Sequence, residues 1–215
     1  MFNRANVSFE DLIAFHRTIC NMKLETWNLK LYLSPMQPRI IVSPEKFAFT
    51  LERLCRQLIE THGDFSNSAI IGVQPRGVLL AKRLHKRLCE LLKKDITFGN
   101  IDPTFYRDDF RSSGQQLAPS ETDIDFIVEG KKVILVDDVL YTGRTIRAAM
   151  DALLDFGRAE KVELLVLVDR RFTRHLPIQP DYVGKTIDSI SSEKVKVEWK
   201  EKDGNDKIWI VPKTE

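Results

Sequence analysis

Residues 133–145 read VILVDDVLYTGRT, and this stretch decides the expected fold. The run 133–136 is short and apolar, which is typical of a strand buried within a parallel sheet. Asp137 and Asp138 follow, and Thr142-Gly143-Arg144-Thr145 has the composition of a turn that opens a helix. Because ligands of open parallel sheets bind beyond the carboxyl ends of the strands, the turn is predicted to lie at a ligand site.

The chemistry of this turn suits a sugar phosphate. A helix N-terminus offers unpaired N–H groups and a positive dipole end, Gly143 allows close approach, and Thr142 and Thr145 add hydroxyl donors. Two adjacent carboxylates can accept hydrogen bonds from ribose hydroxyls and help to place Mg²⁺, directly or through water. The predicted phosphate- and ribose-binding set comprises Asp137, Asp138, Val139, Leu140, Tyr141, Thr142, Gly143, Arg144 and Thr145.

The same residues also have a purely structural interpretation. In that interpretation Asp137 and Asp138 only cap the turn, and Thr142 is an ordinary helix N-cap. Two acids after a buried strand, with Thr-Gly-Arg-Thr shortly after them, favour the binding site instead. A Walker-type nucleotide site is excluded at this turn, because the turn lacks the Gly-Lys-Ser/Thr ending of that motif.

A second turn, Gln74-Pro75-Arg76-Gly77, lies between an apolar strand at 69–73 and a helix at 77–91. Its backbone amides and arginine can face the same crevice, and a guanidinium donates several hydrogen bonds to pyrophosphate oxygens at once. Pro75, Arg76 and Gly77 are therefore predicted to bind pyrophosphate. The alternative is a plain turn with a surface arginine, and the Gln74–Pro75 bond is trans by default.

Arg107 lies in a long polar segment, 102–119. Segments of this length without their own secondary structure are usually functional or disordered. Arg107 is predicted to reach the leaving group when the segment folds over the site and excludes water. The alternative is a solvated, charged hairpin.

The order of elements predicts an α/β fold with a mostly parallel, twisted sheet flanked by helices. Residues 195–210 differ, because apolar and charged residues alternate from Val195 to Lys200 and an Asp203-Gly204 turn then leads into the apolar run 208–210, which predicts a small antiparallel β hood over the end of the sheet. Residues 1–35 are predicted to be an N-terminal extension, helical or partly ordered, before a domain at 36–215. The strands are predicted at 40–42, 69–73, 96–101, 133–136 and 162–168, and the helices start at 43, 77 and 142.

Composition narrows the functional classes. The net charge of +2 comes from 33 basic and 31 acidic residues, so nucleic-acid binding requires a local patch rather than a polybasic chain. The sequence contains no apolar stretch long enough to span a membrane, and a cytoplasmic protein is expected. Cys20, Cys55 and Cys89 are widely spaced among helical positions and are interpreted as reduced thiols.

The 133–145 segment resembles the fingerprint of type I phosphoribosyltransferases, and further segments extend the resemblance to the PyrR family. That family consists of pyrimidine-operon attenuation regulators that are also uracil phosphoribosyltransferases. The resemblance runs from about residue 40 to 211. The matching segments are TFYRDD at 104–109, LVDR at 167–170, LPI at 176–178, DYVGK at 181–185 and SEKVKV at 192–197.

The resemblance implies transfer of ribose 5-phosphate from phosphoribosyl pyrophosphate to uracil, which gives UMP and pyrophosphate with Mg²⁺ as cofactor. Asp137, Asp138 and Arg107 then serve catalysis by positioning reactants and stabilising charge, and no nucleophilic side chain is expected. Arg170 and Val195 are implied to lie near the base, in the hood. A homo-oligomer, a dimer or larger, is also expected.

Family members bind a messenger-RNA hairpin through a basic face, and here this chain departs from the pattern. A Gly-His-Arg stretch after LVDR is replaced by RFTRH at 171–175, and the Thr, Arg and His of the first helix by Glu52, Arg53 and Arg56. Glu52 would repel phosphate. The remaining candidates for binding a pyrimidine-operon mRNA leader are Arg53, Arg56, Arg171, Arg174 and Lys185, unless they are merely scattered, solvated cations.

Three functional hypotheses follow. The first is an active uracil phosphoribosyltransferase, with or without regulation. The second is an RNA-binding regulator that senses UMP and in which catalysis is incidental. The third is a purine-type transferase with the same turn chemistry.

Overall fold

The computed structural model describes residues 37–108, 120–189 and 192–212. Every element below lies within the compact unit Pro38–Glu215. The predicted N-terminal extension and most of the polar segment after Asp108 lie outside the described residues.

A five-stranded parallel sheet forms the centre of the unit, and the predicted fold class is confirmed. The strands are β2 (Ser68–Val73), β3 (Thr97–Ile101), β4 (Lys132–Leu140), β5 (Lys161–Arg171) and β6 (Tyr182–Asp188). Their order in the sheet is β3-β2-β4-β5-β6, so β4, which carries the acidic pair, is the middle strand.

Helices cover both faces of this sheet, which explains why its inner strands are apolar along their length. All six residues of β2 are buried. One core cluster joins β2 and β4 to α1 (Pro44–His62) and α2 (Gly77–Leu92). A second cluster joins the other face of these strands to α3 (Arg144–Leu153).

A separate three-stranded antiparallel sheet of order β1-β8-β7 forms the hood. It consists of β1 (Arg39–Val42), β7 (Glu193–Glu198) and β8 (Lys207–Pro212), with a short helix, α4 (Lys200–Asp203), between the last two. Alternate residues Val195 and Val197 are buried, as the period of two predicts. Trp199 is 1% exposed and packs edge-on against Phe47 of α1, with ring centroids 5.5 Å apart.

Several elements begin or end at other residues than the sequence predicts. The strand predicted at 133–136 continues to Leu140, so the acidic pair lies inside β4. The helix predicted to begin at Thr142 begins at Arg144, with Gly143 as its N-cap. Ser43 precedes α1 but makes no side-chain cap, because its hydroxyl donates to Glu45 at 2.8 Å.

The described part of the chain has no helix that combines the length and the apolar character needed to cross a bilayer.

Candidate active site

The turn between β4 and α3 encloses a cavity of about 300 Å³. Gly143 adopts φ 91°, in the left-handed region that favours glycine, and the side chains of Leu176 and Ile178 lie close to its Cα. Arg107 and Asp137 reach the same cavity. Its walls include the whole predicted phosphate and ribose set except Asp138, together with Ile146.

Asp137 and Asp138 are 8% and 7% exposed, so the site holds two carboxyl groups in a desolvated position. Burial raises the pKa of both, and the neighbouring charge of Asp138 raises the pKa of Asp137 further. Arg76 opposes the rise in the pKa of Asp138, because its Nε lies 2.8 Å from Asp138 Oδ2. The Asp138 N–H donates to Asp137 Oδ1 at 2.8 Å.

These carboxylates could hold Mg²⁺. Hard oxygen donors suit this cation, which keeps several waters and is usually bound through one or two carboxylates and substrate phosphates. A nearby cation would also offset the repulsion that raises the pKa of Asp137. Asp137 lines the cavity between β4 and α3, whereas Asp138 is engaged by Arg76, so Asp137 is the better placed of the two to bind a cation.

The second predicted turn lies against the acidic pair. The Gln74–Pro75 bond is cis, not the default trans. Arg76 bridges two parts of the fold, since it binds Asp138 and also donates from Nη2 to the carbonyl oxygen of Val197 in the hood at 2.6 Å. At Gly77, a Cβ would overlap the carbonyl oxygen of Val136, so no larger residue fits between α2 and β4.

Arg107 contacts the phosphate turn directly, with its Nη1 3.2 Å from Thr145 Oγ1. The described base of the polar segment is held by buried Asp102, which accepts hydrogen bonds from the backbone of Thr104 and of Ser120. Residues 109–119, which we predict to cover the site, lie outside the described residues.

A second cavity, of about 730 Å³, adjoins the first along Val139 and Tyr141. Its floor holds Arg170, whose guanidinium carbon lies 4.3 Å from the centroid of the Tyr141 ring. Arg170 is 3% exposed and donates to Ser189 Oγ at 2.8 Å and to the Glu193 carbonyl oxygen at 3.1 Å. The remaining walls belong mainly to the hood and include Lys194, Val195, Lys196, Val211 and Pro212.

The sequence did not identify four of the wall residues, namely Lys194, Lys196, Val211 and Pro212. The available signal was the period of two in β7, which puts lysines on the face opposite the buried valines. Whether that face meets solvent or a cavity depends on where the hood packs, and a local pattern does not contain this information.

The five cations predicted to bind RNA occupy different settings. Arg174 donates to the Tyr141 carbonyl oxygen at 2.7 Å and pairs with Asp169, so it braces the phosphate turn. Arg171 pairs with Asp188 at 2.6 Å, and Arg56 with Glu52 at 2.9 Å. By contrast, Arg53 and Lys185 line a common groove of about 330 Å³ with Lys46 and Phe49.

This fold and site define a class, the phosphoribosyltransferases, and comparison with known proteins agrees. Residues 40–202 match the family model described as phosphoribosyl transferase domain. A hypoxanthine phosphoribosyltransferase from Staphylococcus aureus aligns with a TM-score of 0.59 at 20% identity, covering 81% of this chain and 92% of that one. An HGPRT-ase from Leishmania tarentolae in complex with GMP aligns with a TM-score of 0.61 at 17% identity, covering 82% and 97%. At these identities the likeness shows the fold alone.

Curated relatives with higher sequence identity define a narrower family within this class. The Bifunctional protein PyrR of Haemophilus ducreyi is 43% identical over 82% of this chain and 98% of its own length. The protein of the same name from Listeria monocytogenes is 44% identical over 84% of this chain and 100% of its own length. The one from Desulfosudis oleivorans is 50% identical over 74% of this chain and 88% of its own length. The chain belongs to the PyrR family of phosphoribosyltransferases.

Proposed function

We propose that this protein is a uracil phosphoribosyltransferase, which makes UMP and pyrophosphate from uracil and phosphoribosyl pyrophosphate. The observation that carries the proposal is the pair of adjoining cavities that share Val139 and Tyr141. One is built around a helix N-terminus and suits a 5-phosphate. The other is lined by aromatic, aliphatic and cationic side chains and suits a planar, polar base.

The reaction needs no nucleophilic side chain. A ring nitrogen of uracil attacks the anomeric carbon while the bond from that carbon to pyrophosphate breaks through an oxocarbenium-like state, and the nitrogen proton is released. The protein has to hold both reactants in line and stabilise developing charge. Asp137 and Asp138 act on the ribose side, and Arg76 and Arg107 act on the departing pyrophosphate.

Mg²⁺ bound at Asp137, directly or through water, would neutralise charge on the leaving pyrophosphate. Arg76 connects the ribose and base sides, because it bonds at once to Asp138 and to the hood carbonyl of Val197. Arg76 also lines the larger cavity, so the proposed pyrophosphate ligand lies where the two cavities meet.

Pyrophosphate release from uracil and phosphoribosyl pyrophosphate with Mg²⁺ tests the proposal. We expect turnover by the full chain and a loss of at least about a hundredfold in Asp137→Asn, whose amide carries no charge. Hypoxanthine and guanine are the matched controls, and both should react more slowly than uracil. Faster turnover with a purine would establish the purine-type alternative. Equal activity of the wild type and Asp137→Asn would remove the proposed site.

We propose regulation of pyrimidine genes through UMP-responsive RNA binding as a second function. Its support is the groove in which Lys46, Arg53 and Lys185 lie beside Phe49, which is 75% exposed and available for base stacking. Arg53 donates to the carbonyl oxygens of Val183 and Gly184 at 3.0 and 2.6 Å, neutral acceptors that leave its charge in place. The curated relatives are named bifunctional.

A filter-binding titration of the chain's own pyrimidine-operon leader, with and without UMP, tests this second function. Tighter binding with UMP would support it. Binding with negligible transferase activity would favour the regulator in which catalysis is incidental. Indifference to RNA at low salt would leave the enzyme alone.

A further inference from the structure

Three potential metal ligands converge at the end of α2 that is far from the candidate active site. His85 and Cys89 are four residues apart and lie on one face of the helix, and Asp95 follows in the connection to β3. His85 Nε2 lies 3.4 Å from Cys89 Sγ and 3.8 Å from Asp95 Oδ1. Cys89 Sγ lies 3.8 Å from the same Asp95 oxygen.

These separations are close to those of a tetrahedral zinc site. Zn–N, Zn–O and Zn–S bonds of about 2.0–2.3 Å give donor-to-donor distances of about 3.4–3.6 Å. The Asp95 side chain is 96% exposed, so its carboxylate can move a few tenths of an ångström inwards. The His85 ring is packed against Phe98, with centroids 4.8 Å apart, which holds the imidazole in place.

We propose that His85, Cys89 and Asp95 form a binding site for a divalent transition metal of the zinc type. A mixed nitrogen, sulfur and oxygen set suits a borderline-soft cation and disfavours Mg²⁺ and Ca²⁺, which take oxygen ligands. A water completes the coordination, and His85 Nε2 gives up its hydrogen bond to the Ile96 carbonyl oxygen, 2.8 Å away, when it binds the metal. Binding replaces the hydrogen bonds that these atoms make to one another.

The site is distinct from the proposed Mg²⁺ position. Cys89 lies twelve residues along α2 from Gly77, or about 18 Å at the helical rise. A metal there would join the end of α2 to the start of β3. We therefore expect it to stabilise the fold and to leave the chemistry at Asp137 unchanged.

Titration of the full chain with Co²⁺ after treatment with a chelator tests the site. We expect one equivalent to bind, with a near-ultraviolet band from thiolate-to-metal charge transfer and the visible absorption of tetrahedral Co²⁺. The band is specific for sulfur, so it is blind to metal bound at Asp137 and Asp138. Zn²⁺ should displace Co²⁺ and raise the melting temperature.

Matched variants make the test decisive. Cys89→Ser should abolish the band and the zinc-dependent rise in melting temperature, whereas Cys20→Ser should keep both. Asp95→Asn changes only an exposed side chain and should weaken Co²⁺ binding at least about tenfold while leaving the circular dichroism spectrum unchanged. His85→Gln provides a second variant in case Cys89→Ser does not fold. A wild type without the band, a band that survives Cys89→Ser, or unchanged affinity in Asp95→Asn would overturn the proposal.

Discussion

Arg174 contacts two parts of the candidate site that are far apart in the sequence. Its guanidinium donates to the backbone of Tyr141 in the phosphate turn and pairs with Asp169 at the end of β5. The backbone N–H groups of the next two residues, His175 and Leu176, donate to the Thr142 carbonyl oxygen at 3.0 and 3.3 Å. Arg174 therefore has a structural role beside the turn, and its predicted role in RNA binding stays a prediction.

Replacing Arg174 by alanine should impair the transferase reaction. Loss of the guanidinium leaves Asp169 without this partner and releases the backbone of the turn that we propose as the 5-phosphate site. We expect kcat/KM for phosphoribosyl pyrophosphate to fall by about tenfold to a hundredfold, since small misplacements of reacting groups have effects of this size. Steady-state kinetics with varied phosphoribosyl pyrophosphate at saturating uracil measures this change in kcat/KM.

Arg171→Ala is the matched control, because this neighbouring arginine is exposed and pairs with Asp188 away from the turn. Its kcat/KM should stay near the wild-type value. If both variants lose activity to the same extent, the bracing role of Arg174 is wrong.

The acidic pair should reduce stability at neutral pH. Burial raises the pKa of Asp137 and Asp138 in the folded chain, so the folded state binds protons more tightly than the unfolded state. The free energy of unfolding therefore falls as pH rises above the ordinary aspartate pKa of about 3.9 towards the raised folded-state values.

Asp137→Asn should then be more stable than the wild type at neutral pH, by roughly 1–2 kcal/mol. The amide oxygen can still accept the Asp138 N–H, and the repulsion between carboxylates is removed. Urea unfolding without Mg²⁺, at neutral pH and at about pH 4, measures the difference, which should shrink towards the acidic end. Asp151→Asn, on the surface of α3, controls for a change in net charge. A variant less stable than the wild type at neutral pH would contradict this account.

At the scale of the elements, Arg83 of α2 joins the helix layer to the hood. It donates to Glu201 at 3.0 Å and to Asp206 at 2.7 Å, and its guanidinium lies 5.0 Å from the Trp199 ring centroid. The side chain is 19% exposed, so these contacts are partly shielded from water. Arg83 therefore helps to hold the hood in place beside the larger cavity.

Arg83→Ala should lower the free energy of unfolding by roughly 1–3 kcal/mol, because it removes the cation from the partly buried carboxylate of Asp206 as well as from the more exposed Glu201. It should also raise the KM for uracil, since the hood lines the base cavity. Urea denaturation and steady-state kinetics measure the two effects.

Arg87→Ala serves as the control on the same helix. Arg87 pairs with Glu52 and Glu90 on the exposed surface, where ion pairs contribute little. Equal destabilisation by the two substitutions would show that the hood does not depend on Arg83.

At the scale of the whole molecule, the charges are nearly balanced, and the position of the unpaired cations decides where a polyanion could bind. Arg56, Arg171 and Arg174 are each neutralised by a carboxylate, whereas Lys185 lies in the groove with Arg53 and Lys46. Counterion release depends on cations that are free to meet phosphate.

The salt dependence of RNA affinity should therefore differ between two variants, Lys185→Ala and Arg171→Ala. Lys185→Ala should reduce the slope of log K against log salt by roughly 0.7–0.9, the contribution of one phosphate contact. Arg171→Ala should leave the slope unchanged, because Asp188 already neutralises that side chain. Filter binding at several salt concentrations measures both slopes, and the opposite ranking would place the RNA face elsewhere.

Local patterns in the sequence predicted the sheet, its flanking helices and most of the residues that line the cavity between β4 and α3. The apolar run 133–136, the two acids after it and the Thr-Gly-Arg-Thr turn act within a few residues of one another. Side-chain period, helix capping and the helix dipole are local properties, so a sequence reveals them without knowledge of the rest of the fold.

Strand partners were harder to predict. The segment at β6 was not predicted as a strand, because as an edge strand it is partly exposed and not continuously apolar. The strand at β1 was predicted but pairs with β8 in the hood, a choice made by contacts with the far end of the chain. Glu163 interrupts the apolar run of β5 and is buried, and its carboxylate is satisfied by Lys161, by His62 at 2.8 Å and by the Tyr182 hydroxyl at 3.0 Å.

The sequence by itself therefore determined which residues form the turn between β4 and α3, since all of them are neighbours along the chain. Only the tertiary structure decided that Arg76 meets Asp138 and the hood, that Arg174 braces the turn, and that His85, Cys89 and Asp95 converge. These contacts join residues on different elements. Their geometry depends on how the helices and strands pack against one another. That packing is determined by burial across the whole core, so a local sequence pattern does not predict it.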